Sequence, residues 1–205
     1  MIFPMHAPVD ASDVSAFILA GGKSTRMGRD KAFVAYEGRT LLARALDVAR
    51  SLTANVSIVG SAEKYAPFAP VVEDLFRDCG PLAGIHAALR ASSTEMNLLL
   101  AVDTPYVSPV FLQYLTSRAH DAADALVTLP RAEGRRQPLC AIYRREFATT
   151  AESALRAGRN RIDVLFDEVR TRVIEQPELE AAGFSPAIFR NLNTPEDLEA
   201  KTPRI

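Results

Sequence analysis

With 205 residues and a formal net charge of -1 from 24 basic and 25 acidic side chains, the chain suits one domain with a sizeable core and carries no global field that would draw it to nucleic acid or membrane. Its two cysteines, Cys79 and Cys140, stand far apart, which excludes a disulfide framework and the paired spacing of a structural zinc site and fits a reducing compartment. No apolar run approaches the roughly 20 residues of a membrane span, so a soluble, cytoplasmic protein is expected.

Residues 1–13 hold Pro4 and Pro8 without a basic n-region or a long apolar run, and read as a flexible leader rather than a signal peptide. Residues 14–205 read as a single domain. An apolar run over 14–20 predicts a strand, followed by a glycine-rich loop and then a helix marked by Leu41, Leu42, Ala45, Leu46 and Ala49. Short runs over 56–60 and 70–73 precede the turn Cys79-Gly80-Pro81, after which Leu82, Ile85, Ala88 and Leu89 mark a second helix. Residues 97–102 read as a strand buried on both faces. Strands are expected again over 125–129 and 138–143, flanking the charged loop 131–137 as a hairpin-like insertion over the sheet edge. Helical patterns follow over 146–157 and 160–169, and Thr194-Pro195-Glu196-Asp197 starts a last helix with Thr as cap and Pro at its first position. Strands alternating with helices, with apolar runs that lack alternation, predict an α/β protein of three layers, α/β/α, around a mostly parallel sheet.

The segment from Leu19 to Lys31 follows the first strand directly, where open α/β sheets place their ligands. Gly21, Gly22 and Gly28 let backbone amides approach an anion, and Lys23, Arg26, Arg29 and Lys31 add positive charge, as a polyphosphate site requires. A Walker loop would need glycine where Phe17 stands, and Lys23 and Ser24 interrupt the dinucleotide pattern G-x-G-x-x-G. Both better-known phosphate loops are thereby set aside. A glycine-rich turn with solvated basic residues is the bland alternative.

The string Leu-Ala-Gly-Gly-x-Ser-x-Arg-Met-Gly followed by Asp-Lys resembles the signature of nucleotidyltransferases, most closely that of the molybdenum cofactor guanylyltransferases. The likeness continues through Glu73-Asp74, Gly80-Pro81-Leu82-Ala83-Gly84, Asp103-Thr104-Pro105-Tyr106, Gln137-Pro138-Leu139, Gly158 to Arg161 and Asn191 to Asp197, in the family's order. The resemblance implies a Rossmann-like nucleotidyltransferase fold with an N-terminal half that binds nucleotide and a C-terminal half that binds the acceptor. The implied reaction moves GMP from GTP to the terminal phosphate of molybdopterin and releases pyrophosphate, with molybdenum-cofactor delivery proteins as possible partners. By the same resemblance Leu19, Ala20, Gly21 and Gly22 line the nucleotide, Lys31 contacts phosphate, Asp74 helps hold the nucleoside, Gly80 belongs to a loop beside it, and Asp103 carries Mg²⁺. Gly60 departs from relatives that have a polar side chain nearby, so only backbone can serve there. Related cytidylyltransferases tend to have Ala in place of Gly21, which favours guanine here. A non-catalytic nucleotide-binding regulator is the alternative from another class.

The residues support Asp103 independently, because a carboxylate at the end of an apolar strand emerges where the sheet meets its ligand, and Mg²⁺ takes one or two carboxylates plus substrate phosphates. The alternative is an Asp capping the turn at Thr104-Pro105. Asn193 either completes the metal site or is a turn residue before the last helix. Arg26, Lys31 and Asp103 are the expected catalytic groups, acting by charge neutralisation rather than by a general base. Arg135, Arg136, Arg144, Arg159 and Arg161 admit two readings, anion recognition or solvated charge. His6, His86 and His120 have no metal-ligand spacing and are assigned no chemistry.

Overall fold

The computed structural model describes residues 13–21, 30–76 and 78–192. The N-terminal leader apart from Asp13, Gly22, Arg26, Asn193 and the last helix lie outside these residues.

The chain opens with β1 (Val14–Leu19), whose parallel neighbours are β4 (Val56–Val59) on one side and β6 (Met96–Ala101) on the other. Outside β4 runs β5 (Val71–Val72), also parallel. Beyond β6 comes β9 (Cys140–Arg144), antiparallel to both its neighbours, then β7 (Val127–Ala132), and last β10 (Thr171–Ile174), parallel to β7. The order is thus β10-β7-β9-β6-β1-β4-β5, with the two-residue β8 (Arg135–Arg136) pairing back on β7. β9 alone runs against the other six strands on this path.

Each strand sends alternate side chains to opposite faces. Ala16, Ile18, Ile58, Leu98 and Leu100 pack with α1 (Leu41–Arg50) and α4 (Pro109–Asp121), whereas Phe17, Val59, Leu99, Leu129 and Tyr143 pack with α3 (Pro81–Ala91) and α5 (Phe147–Arg156). Two helical layers therefore enclose one sheet, and the expected three-layer α/β/α arrangement is the observed one. All six residues of β6 are buried. Leu98, Leu99 and Leu100 contribute about 1.5–3 kcal/mol each by burial, and buried Asn97 is satisfied by the carbonyls of Glu95 at 3.2 Å and Tyr143 at 3.3 Å.

Local signals explain most helix starts. Thr40 caps α1 by accepting from the Ala43 amide at 3.2 Å, and the five residues marked in the sequence are its five buried ones. α3 starts with Gly80 as cap and Pro81 at the first position. Gly80 sits at φ 70° and ψ -162°, a conformation open essentially to glycine alone, and a Cβ there would meet no atom, so the constraint is on the backbone.

Several elements differ from expectation, among them the short hairpin of β2 (Ala35–Tyr36) and β3 (Arg39–Thr40) and the short helix α7 (Gln176–Ala181). Helix α4 was not anticipated, although Ser108 caps it and Pro109 opens it. The helix expected over 160–169 is only α6 (Ile162–Leu165), because the chain turns to supply β10. The strands around the charged loop do form a hairpin, but β9 lies inside the sheet between β6 and β7, and the edge is taken by β10. A tight turn at Glu133-Gly134, both with positive φ, lets β8 fold back and frees β9 to enter the gap.

Candidate functional site

β1, β4, β5 and β6 end at the same edge of the sheet. From β1 the chain moves outward to β4 and β5, then returns through α3 to β6 on the other side of β1, so the strand order reverses between β1 and β6. Open α/β sheets bind ligands outside the carboxyl ends of strands at such a switch point. The parallel register pairs Leu19 with Ala101, so both strands end level and the segments beginning at Ala20 and Val102 leave the sheet side by side. Backbone bonds hold them there: Val102 N donates to Leu19 O at 3.2 Å and Ala20 N to Val59 O at 3.0 Å.

Across this gap Lys31 and Asp103, 72 positions apart in sequence, form an ion pair with Nζ 2.5 Å from Oδ2. Their side chains are 17% and 18% exposed, so solvent reaches the pair but does not surround it. Thr104 Oγ1 donates to Ala101 O at 2.8 Å, fixing the turn behind Asp103, and Leu192 N donates to Asp103 O at 3.1 Å. The chain thus returns to the site just before Asn193. Asp103 is not the cap of its following turn, since Thr104 makes the turn's side-chain bond.

On the other side of β1, Asp74 follows β5. The residue is exposed as a whole, yet its Oδ1 leans inward to 3.6 Å from where a Cβ at Gly84 would stand, and burial raises its carboxyl above the ordinary range. A Cβ at Gly84 would also come within 3.1 Å of Leu19 Cδ2, so glycine there lets α3 lie close under the end of β1. Gly21 is different: among the described residues its Cβ would meet only Val59 O, at 3.9 Å, and its φ is not left-handed.

Among the described residues no group of three or more His, Cys, Asp or Glu could hold a metal ion unaided. A single carboxylate beside a lysine fits Mg²⁺ that takes most of its oxygens from substrate phosphate and water, and does not fit a closed all-protein site. Leu19, Ala20 and Gly21 stand at the end of β1, Asp103 follows β6 with Lys31 paired to it, and Asp74 and Gly80 lie between β5 and α3.

Several predicted groups have other work. Arg136 donates to Asp163 O at 3.1 Å, pairs with Asp167 at 2.6 Å and lies 5.7 Å over the Phe166 ring. Arg144 donates to Ala125 O at 3.1 Å, and Arg159 pairs with Glu168 at 2.5 Å. These guanidinium groups bind the C-terminal elements together. His86 is 1% exposed, and among the described residues neither ring nitrogen has a hydrogen-bond partner, Glu152 Oε2 standing 3.6 Å from Nε2.

Sequence reasoning missed Asp30, Lys64 and Tyr65. Asp30 closes the glycine-rich segment and accepts from Lys64 Nζ at 2.9 Å, from the Tyr65 hydroxyl at 3.0 Å and from the Ala32 amide at 3.2 Å. Burial opposes its ionisation, but these hydrogen bonds outweigh that effect and hold its carboxyl below the usual range. Asp30 was legible only as part of the Asp-Lys pair, and Tyr65 had no local signal.

Comparison with known proteins bears on this geometry. Residues 16–172 match the MobA-like NTP transferase domain. A molybdenum cofactor guanylyltransferase of Desulfosudis oleivorans is 34% identical over 189 residues, covering 91% of this chain and 93% of the relative. A probable molybdenum cofactor guanylyltransferase of Halalkalibacterium halodurans is 35% identical over 192 residues, covering 90% and 96%. The crystal structure of molybdopterin-guanine dinucleotide biosynthesis protein A from Archaeoglobus fulgidus superposes with a TM-score of 0.77 at 27% identity, covering 90% of this chain and 95% of that one. A CMP:2-keto-3-deoxy-manno-octonic acid synthetase bound to CTP shares the fold at a TM-score of 0.69 and 11% identity, with coverage of 91% and 95%.

Proposed function

The chain belongs to the MobA-like NTP transferase family, and from that membership we propose that it transfers GMP from GTP to the terminal phosphate of molybdopterin, forming the guanine dinucleotide cofactor and pyrophosphate. The chain is a nucleotidyltransferase; the choice of nucleotide and acceptor is our reading. The observation that carries it is the Lys31–Asp103 pair at the switch point between β1 and β6. One cation and one carboxylate meet where a triphosphate would lie, the first for phosphate oxygens and the second for a divalent ion.

The acceptor is a phosphate monoester, mostly dianionic near neutral pH because its second pKa is about 6, so no strong general base is needed. The obstacle is repulsion between two anions. Lys31, with Arg26, neutralises phosphate charge; the amides of Ala20, Gly21 and Gly22 approach the nucleotide; Asp74 accepts hydrogen bonds from the nucleoside; and Gly80 shapes the loop beside it. Asp103, with Asn193 as a second oxygen donor, would hold Mg²⁺, which supplies further neutralisation of the triphosphate. Leu19 closes the floor. Residues 14–205 act as one domain, nucleotide in the N-terminal half and acceptor in the C-terminal half. No helix among the described residues is long and apolar enough to cross a membrane, and a cytoplasmic setting with a delivery protein for molybdopterin accords with this reading.

Gly21 supports guanine. Among the described residues a Cβ at position 21 would meet only Val59 O, at 3.9 Å, which supports the reading that the glycine serves the ligand, where a larger purine requires the space. Isothermal titration with GTP and with CTP, each with Mg²⁺ and with EDTA, tests the proposal. Preference for GTP that EDTA weakens is expected; preference for CTP would reassign the chain to cytidylyl transfer, and binding of neither would overturn the nucleotide site.

A further inference from the structure

The glycine-rich segment leaves β1 at Ala20 and returns at Asp30, and one side chain from elsewhere touches both residues. Tyr65, on the short helix α2 (Ala62–Tyr65), places its hydroxyl 3.1 Å from Ala20 O and 3.1 and 3.0 Å from the two carboxylate oxygens of Asp30. Its single proton is shared between a carbonyl and a carboxylate that lie ten positions apart in sequence. Lys64, beside it, adds an ammonium to Asp30. Asp30 in turn caps the helical turn Lys31–Phe33 through the Ala32 amide, and that turn aims Lys31 at Asp103.

The Tyr65 ring is 2% exposed and rests against Gly60, just past the end of β4. A Cβ at Gly60 would stand 2.7 and 2.9 Å from two of the ring carbons, so the ring reaches this position only because residue 60 has no side chain. The departure at Gly60 seen in the sequence thus has a packing consequence: it seats the phenol.

We propose that Tyr65 is a positioning residue for the nucleoside triphosphate, clasping both ends of the glycine-rich segment and fixing, through Asp30, the approach of Lys31 to the phosphates. The proposal rests on the nucleotidyltransferase reading given above. Two physical effects follow. Fixing Ala20 and Asp30 before the nucleotide arrives lowers the ordering cost of binding beside them. Compensating Asp30 with a phenol and an ammonium keeps its negative charge from repelling the triphosphate next to it. Burial and then Asp30 push the Tyr65 hydroxyl well above its ordinary pKa, so it remains a donor at working pH.

The test uses Tyr65→Phe, which keeps the ring and removes only the hydroxyl, together with Asp30→Ala and the double variant. Tyr65→Phe is expected to weaken GTP binding and raise KM for GTP about tenfold, the scale of one charge-assisted hydrogen bond, with kcat changed less than about twofold. The double variant is expected to bind GTP no more weakly than Asp30→Ala alone, because both substitutions break one clasp. Additive penalties, or a lower Tm with unchanged GTP affinity, would overturn the proposal and leave Tyr65 a packing residue. Hydrogen exchange without nucleotide tests the clasp apart from the functional reading: the Ala20 and Ala32 amides should exchange faster in Tyr65→Phe, and unchanged exchange overturns it. A wild-type chain that binds no GTP would instead overturn the functional reading, whatever the exchange shows.

Discussion

Gly60→Ala should be far more harmful than an alanine at a residue without a left-handed φ usually is. The added methyl would stand 2.7 and 2.9 Å from Tyr65 Cε2 and Cδ2, where carbon atoms prefer about 3.5–4.0 Å. The ring must therefore retreat by roughly 0.8 Å, the difference between those spacings. It cannot do so freely, being 2% exposed with the Phe33 ring centroid 5.8 Å away. Overpacking of this kind costs about 1–3 kcal/mol, and drawing the hydroxyl away from Asp30 loses about 1 kcal/mol more. A combined loss of about 2–4 kcal/mol corresponds to a fall in Tm of roughly 4–16 °C for a chain of this size. Urea and thermal unfolding of wild type and Gly60→Ala read this directly. In a Tyr65→Ala background the ring is gone, and the same substitution should then be nearly neutral. A loss below about 0.5 kcal/mol in the wild-type background, the usual scatter of innocuous substitutions, would refute the steric argument.

Other outcomes follow from the same geometry. Asp103→Asn keeps the size of the side chain and an acceptor for Lys31 but removes the charge, so turnover should fall at least about a hundredfold, within the range expected when a metal or electrostatic group is removed, while Tm is retained; preserved turnover would end the metal assignment. Gly21→Ala should leave Tm unchanged, because among the described residues its Cβ meets only Val59 O, at 3.9 Å, and should shift nucleotide preference from GTP towards CTP. A large stability loss would show that the scaffold, not the ligand, requires the glycine. His86 supplies a pH dependence. Burial holds its pKa below the ordinary 6.5 although Glu152, 3.6 Å away, acts in the opposite direction, with Arg90 and Arg156 lowering it further. The unfolded chain therefore binds a proton that the folded chain refuses, so this contribution is complete above pH 6.5 and is lost as the pH falls below it. His86→Leu should flatten the decline in urea midpoint between neutral and mildly acidic pH; an undiminished slope would refute the assignment.

The parts of this architecture that were legible in the sequence are those decided by neighbours in sequence. The buried stripe of α1, the apolar run Leu98 to Ala101 in β6 and the Gly80-Pro81 entry to α3 all announce themselves within a dozen residues. Helix α4 was equally available, since Ser108-Pro109 and the spacing of Phe111, Leu112, Leu115 and Ala119 are a cap and a stripe. β10 was not: four residues, Thr171–Ile174, become a strand only because β7 offers them an edge. Lys31 and Asp103 could each be marked from their own surroundings, but their pairing depends on the register of β1 against β6. Tyr65 lies beyond such reading, because its value comes from Ala20 and Asp30, 45 and 35 positions away, and from an absent side chain at Gly60. Arg136 shows the reverse case, a charge that looks free in the sequence and is held by Asp167 in the fold.

The single reversed strand also governs how the protein comes off the ribosome. β6 is finished at Ala101, but the partner for its outer edge, β9, begins only at Cys140. At about 5–20 residues per second that edge waits roughly 2–8 s for its partner. During this interval a strand whose six residues are all buried in the finished fold shows unpaired amides and carbonyls, the kind of template through which nascent chains associate. The growing chain meets this hazard with α4, which emerges in between and covers one face of β6 before β9 seals the edge. The strands up to β6 are therefore an unfinished sheet rather than a module, and a gene fragment ending before β9 would be expected to yield inclusion bodies rather than a smaller working protein.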